Sequence, residues 1–273
     1  MKKKIFIGTI LILTIIFAII IALKVNNKGK NEEDSFKKIL DKKTFILGLD
    51  DSFPPMGFRN EDNEIVGFDI DVAKEVCKRL GVKLKLQPIS WFAKEQELES
   101  YNIDCIWNGM SVSDERKEKM TLSLPYLKNT MSFVVREESN IKNLADLKQK
   151  KIGVQAGSTA EEILIASDLY KSFEEVITYQ DNIMAFMDME INQIDAVFLD
   201  SVVANYYISE NNKKYIVLKE GLEEEEYAIG FRKQDTKLCE RINKILLEMK
   251  KDGSLSEISA RWFGKDITIV EEM

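Results

Sequence analysis

The 273-residue chain has no histidine. That removes the commonest general base and the commonest zinc ligand. It also excludes a Ser-His-Asp or Cys-His nucleophile. Cysteine is scarce as well. Cys77, Cys105 and Cys239 form no Cys-x-x-Cys pair, so a zinc site is not expected. An odd count is no disulfide framework, although a single bridge stays open. Cys77 falls on the apolar face of a helix pattern and Cys105 in an apolar strand, as small buried hydrophobes do; Cys239 also sits in a helix pattern. Positive charge is in deficit, with 39 basic against 46 acidic residues and a net charge of −7. Nucleic-acid-binding domains usually present a basic face, so nucleic acid is not the expected partner. There is no internal repeat, no low-complexity tract, no GxGxxG and no P-loop.

What is present reads as globular: 45% hydrophobic and 31% charged residues, in a length that allows one or two domains. The N-terminus differs. Met1-Lys2-Lys3-Lys4 precedes nineteen residues, Ile5 to Leu23, without a charge. As a helix that run would span ~28 Å, close to the hydrocarbon thickness of a bilayer. A cleaved signal peptide is the competing reading, but no small-x-small site precedes Lys24 and no cysteine ends the segment for acylation. Residues 1–24 therefore read as a signal anchor. Lysines flank both sides of the run, so charge does not set its orientation. Residues 25–39 read as a flexible linker.

The globular pattern follows. Phe45-Ile46-Leu47-Gly48-Leu49 is an apolar strand. Phe68, Val72, Ala73, Val76, Cys77 and Leu80 recur at helical spacing, and Gly81 marks the stop. Lys83-Leu84-Lys85-Leu86-Gln87 alternates as a half-exposed strand. Strands alternating with helices predict an α/β protein with a mostly parallel sheet. Such sheets bind ligands beyond the carboxyl ends of their strands, and Asp50, Asn108 and Asp200 sit just past strand ends.

Three fragments carry chemistry. Ile103-Asp104-Cys105-Ile106-Trp107 leads into Asn108-Gly109-Met110-Ser111 and on to Arg116. Backbone carbonyls and Ser111 can receive an ammonium, while a guanidinium grips a carboxylate bidentately. Lys151 to Glu162 reads as strand, glycine turn and helix start, with capping-box spacing between Ser158 and Glu161 and between Thr159 and Glu162. Such a helix start suits an anion. Ile194 to Ser201 is an apolar strand ending in Asp200, which can pair with an ammonium. Each fragment also has a plainer meaning: a solvated turn, an ordinary N-cap, a cap for the next helix. The run Glu223-Glu224-Glu225-Glu226 reads as a solvated turn.

In this order the fragments resemble family 3 of the bacterial extracellular solute-binding proteins, the polar amino-acid receptors of ABC importers. The resemblance runs from about Thr44 to Gly264. It takes in Gly48 to Phe58, Gly67-Phe68-Asp69-Ile70-Asp71, Asp252-Gly253-Ser254-Leu255 and Arg261-Trp262-Phe263-Gly264. It implies a two-lobed periplasmic-binding-protein fold of type II. Lobe 1 would comprise 40–130 and 225–265, lobe 2 would comprise 131–224, and 266–273 would be a tail. Met131–Val135 and Tyr227–Phe231 would be the crossings.

The resemblance also implies a site. Arg116 and the backbone N–H of Thr159, at the helix start headed by Ser158, would take an α-carboxylate. Ser111, the Gly109 carbonyl and Asp200 would take an α-ammonium. Phe53 and Trp91 would flank the ligand side chain, with core packing as their plainer fate. Asn108 would reach that side chain and Asp50 would read its end, while Trp107 packs beneath. The ligand would be a polar amino acid, a basic one slightly favoured and cystine or glutamine also fitting. The partners would be the importer's permease subunits and, through the N-terminal helix, the membrane. The protein would be a monomer on the extracytoplasmic face, with no cofactor, metal or catalytic residue. The competing functions are a prephenate-like dehydratase, with Asp50 as its proton-transfer group, and an amino-acid sensor module. A ligand-gated channel is disfavoured because no pore helices interrupt the lobes.

Overall fold

The structure is a computed structural model and describes residues 35–211 and 213–272. The expected anchor, residues 1–24, lies outside them. Among the described residues no helix is long and apolar enough to cross a membrane.

Helix Ser35–Lys42 leads into β1 (Thr44–Leu49). The helix buries Ile39 in the core, so 35–39 belong to the folded body and not to the expected linker. The expected tail 266–273 likewise packs Ile267 and Val270 against that core. The short strands β2 (Ser52–Phe53), β3 (Gly57–Arg59) and β4 (Ile65–Val66) form an antiparallel flap. Helix Phe68–Leu80, β5 (Lys83–Pro88), helix Lys94–Glu99, β6 (Cys105–Ile106), helix Asp114–Lys119 and β7 (Met120–Leu122) follow. The chain then enters a second sheet through β8 (Leu127–Arg136). It continues with β9 (Lys151–Gln155), helix Thr159–Ala166, β10 (Glu175–Tyr179), helix Asn182–Glu190, β11 (Ala196–Asp200), helix Ser201–Asn211, β12 (Tyr215–Val217) and β13 (Glu223–Tyr227). It returns to the first sheet as β14 (Gly230–Arg232) and closes with helices Thr236–Asp252 and Ser254–Phe263.

The first sheet has the order β5-β1-β6-β14-β7, and the second runs β10-β9-β11-β8-β12 with β13 also on β8. β5, β1 and β6 are parallel, as are β10, β9 and β11. The expected parallel sheets therefore form the core of each lobe. β14 and β8 are antiparallel additions, because they arrive from the other lobe with no crossover helix to reverse them. β8 and β13 pair along Leu127–Met131, so the two crossings are one ribbon.

Burial follows the patterning. β1 is covered on both sides and buries Phe45, Leu47 and Leu49. Helix Phe68–Leu80 buries Val72, Ala73, Val76 and Cys77 and stops at Gly81, whose φ of 71° admits a left-handed cap. Helix Thr236–Asp252 lays Leu238, Ile242, Ile245, Leu246 and Met249 on the same core. The second lobe centres on Phe133 and Phe198, whose ring centroids lie 4.5 Å apart. All three cysteines are free and buried.

Candidate functional site

The parallel strands aim their carboxyl ends at one place. Asp50 follows β1, Asn108 follows β6, Gln155 ends β9 and Asp200 ends β11. Between them lies a pocket, with about 300 Å³ of empty space including its opening, lined by Asp50, Phe53, Trp91, Asn108, Gly109, Ser111, Arg116, Met131, Gln155, Ser158, Thr159 and Asp200. All ten residues expected from the sequence line it. Met131 and Gln155 are additions.

Arg116 sits on helix Asp114–Lys119, whose N-cap Ser113 accepts from the Arg116 backbone N–H at 3.3 Å. The side chain is 2% exposed. Its Nη1 donates to the Ser111 carbonyl at 2.7 Å, which fixes the fork. Nε and Nη2 are buried without a partner among the described residues. Burial lowers the Arg116 pKa, opposed chiefly by Glu162 and Glu225; arginine remains charged all the same. Thr159 lies across the cleft at the start of its helix, where backbone N–H groups have no intrahelical acceptor. Its buried hydroxyl also lacks a partner among the described residues. Ser158 is the N-cap: it accepts from Glu161 N–H at 3.1 Å, and Glu161 Oε2 accepts from Gly157 N–H at 2.7 Å.

Two buried carboxylates, Asp200 and Glu225, lie near this cation. Asp200 Oδ1 accepts from Asn129 Nδ2 at 2.8 Å and from the Tyr227 hydroxyl. Ser111 Oγ donates to Glu225 Oε2 at 2.9 Å, and Asn129 Nδ2 also reaches that oxygen at 3.3 Å. Burial raises both Asp200 and Glu225, and for Glu225 the Asp200 charge adds to it. The reading of Glu223–Glu226 as a solvated turn is therefore corrected. These residues form β13, and its register places Glu225 opposite Asn129, facing inward. Gly109 has a φ of 56°, and a Cβ there would come within 2.9 Å of Phe53 and 3.2 Å of Tyr227, so only glycine fits. Its N–H donates to Asp69 Oδ2 at 2.7 Å, which also accepts from the Tyr126 hydroxyl at 2.9 Å. Burial lifts Asp69 to about 7. Trp107 is buried beside Tyr126, as expected.

At the other end, Asp50 accepts from Ser52 N–H at 2.9 Å and from Gln155 Nε2 at 2.6 Å. Burial lifts its pKa to about 6. Asn108 Oδ1 accepts from the Asp50 N–H at 2.8 Å, and its buried Nδ2 has no partner among the described residues. Arg59 pairs with Asp51 at 2.6 Å. A second bond crosses the cleft outside the cavity: Lys94 Nζ donates to the Gly157 carbonyl at 2.8 Å and lies 5.2 Å from the Trp91 ring centroid. Burial, aided by Arg116, lowers Lys94 to about 8.

Three residues of this network carried no signal as site residues in isolation, although the pattern held clues. Gln155 ends a strand beside the glycine turn, as Asp50 and Asn108 end theirs. Glu225 shares strand parity with Tyr227, which is apolar and buried. Lys94 follows Trp91 by three residues, on the same face of a turn.

The model of the bacterial extracellular solute-binding proteins, family 3, matches residues 45–265. The chain belongs to that family. Among curated proteins it is 31% identical over 255 residues to the L-cystine-binding protein TcyJ of Escherichia coli (strain K12), covering 93% of this chain and 95% of that protein. Among solved structures it is similar to an ABC uptake transporter substrate-binding protein from Streptococcus pneumoniae with bound histidine. That match has 38% identity and a TM-score of 0.83, covering 86% of this chain and 98% of the other. Tv2483 bound to L-arginine is 31% identical with a TM-score of 0.84, over 88% of this chain and 99% of the other. The family and these relatives are solute-binding proteins of two-lobed fold, not enzymes. That favours a receptor over the dehydratase reading.

Proposed function

We propose that this chain captures a polar amino acid outside the cell membrane and presents it, lobes closed, to the permease subunits of an ABC importer. The observation that carries this reading is the Arg116 fork, buried in the cavity wall with two donor atoms unpartnered. A cation buried that way needs an anion, and an α-carboxylate matches its geometry. Thr159 adds donors from the second lobe. Ser111, the Gly109 carbonyl and Asp200 supply the complementary acceptors for an α-ammonium. Each end of the zwitterion then touches both lobes, so the ligand favours the closed form by contacts that the open form lacks.

The ligand side chain lies between Phe53 and Trp91 and points to Asp50, Asn108 and Gln155. The raised pKa of Asp50 supports a basic amino acid, because an arriving cation would supply the charge partner that burial denies it. Cystine and glutamine are the other candidates. The lobes comprise 40–130 with 225–265, and 131–224, in a monomeric protein. The uncharged run Ile5–Leu23 supports an uncleaved anchor that holds the receptor on the extracytoplasmic face. N-terminal sequencing of membrane-derived protein checks this, and a mature start beyond Leu23 refutes it. A thermal-shift screen of the purified protein against the amino acids tests the function. A true ligand at 100 times its Kd stabilises by ~2.7 kcal/mol; no shift with any amino acid overturns the reading.

A further inference from the structure

We propose that Glu225 is a positioning residue for the ligand ammonium, acting through the hydroxyl of Ser111. This rests on the reading of Ser111 as an ammonium acceptor. A serine hydroxyl carries one proton and two lone pairs. With Glu225 ionised, the form that an ammonium favours, the proton is committed: Ser111 Oγ donates to Glu225 Oε2 at 2.9 Å, and both residues are buried. The lone pairs are thereby left to face the cavity that Ser111 lines. A hydroxyl without that acceptor rotates and can turn its proton towards the incoming cation.

The location of Glu225 gives the bond a second consequence. Glu225 lies on β13, in the ribbon that joins the lobes, opposite Asn129 on β8. Asn129 Nδ2 reaches both Glu225 and Asp200, at 3.3 and 2.8 Å. Its carbonyl accepts from Ser201 Oγ and Val202 N–H at 3.4 Å, which fixes the amide's orientation. The two acceptors of the ammonium, Ser111 on the first lobe and Asp200 on the second, are thus registered to each other through the ribbon. Ammonium capture and the relative position of the lobes share one chain of hydrogen bonds.

A double-mutant cycle tests this by calorimetry with L-arginine, L-histidine, L-glutamine and L-cystine as probes. Glu225→Met removes the acceptor at similar volume, and it is expected to weaken the bound probe roughly tenfold or more, as loss of a hydrogen bond to a charged group does. Ser111→Ala weakens it as well. In the Ser111→Ala background, Glu225→Met then has little further effect, because its route is already cut. Glu225→Gln retains an acceptor oxygen and recovers most of the loss, and it keeps the test alive if the Met variant fails to melt as a folded protein. Additive losses, wild-type affinity in Glu225→Met, or a Gln variant no better than Met each overturn the inference alone. If wild type binds no probe, or Ser111→Ala binds like wild type, the ammonium-site reading falls first and the inference with it.

Discussion

At Arg116 the shape of the charge matters more than its sign. One guanidinium nitrogen is already spent on the Ser111 carbonyl, and two donor atoms remain for a carboxylate. A lysine ammonium has no such division of labour. Arg116→Lys is expected to remove most binding, at a cost of roughly 2–5 kcal/mol, although the net charge is unchanged. Calorimetry on the folded variant checks this, and near wild-type affinity contradicts it. Asp50 poses the opposite question, since its role depends on the ligand. Asp50→Asn is expected to cost cationic ligands ~1.5–3 kcal/mol, the range for bonds to charged groups, and glutamine much less. Affinities for arginine and glutamine on both proteins decide it. Equal losses would mean that Asp50 shapes the pocket without reading charge.

These residues were legible in the sequence because each sits beside a strong local signal: a strand end, a helix cap, a conspicuous arginine in a polar turn. Glu225 was not, because four consecutive glutamates look solvated until a strand register turns one inward. Gln155 was equally quiet, since a glutamine at a strand end is unremarkable until its partner across the cleft is known. The α/β class was readable from periodicity, and the two-lobed fold only from the resemblance that the ordered fragments carry to a known family. The antiparallel ribbon was not, because pairing between β8 and β13 spans nearly the whole second lobe in sequence.

At the scale of elements, the strand ends bring buried carboxylates together, and that has a signature in pH. Burial lifts Asp50 to about 6 and Asp69 to about 7, and raises Asp200 and Glu225. Over that window the folded protein holds protons that the unfolded chain has already released. Stability of the ligand-free protein therefore falls as pH rises from the ordinary carboxylate range through about 7. Asp252, held down to about 2 by Arg79, works in the opposite sense but below this window. Melting temperatures across the same range test the slope, and a rise towards neutrality would contradict it. An arriving ammonium favours the ionised forms of Asp200 and Glu225, between Ser111, Asn129, Tyr227 and Arg116. Binding is then expected to release protons near neutral pH. Calorimetric heats should differ between buffers of different ionisation enthalpy, and identical heats would refute it.

At the scale of the whole molecule, the lobes meet through bonds of two kinds. Those at Arg116, Thr159, Ser111 and Asp200 are proposed to be completed by the ligand. Two are complete in the protein itself: that of Gln155 with Asp50, inside the cavity, and that of Lys94 with the Gly157 carbonyl, which lies outside the cavity lining. The Lys94 bond strengthens the closed form by the same amount for any occupant. Lys94→Met is therefore expected to weaken arginine and glutamine by one common factor, equivalent to ~1 kcal/mol. Titrations with both ligands test this, and unequal factors would show that Lys94 senses the ligand. A bond of this kind cannot rank ligands, yet it sets the external concentration at which the receptor half-fills. Sensitivity and choosiness are then carried by different residues, and a change at Lys94 could adapt the protein to a richer or poorer medium without altering what it imports.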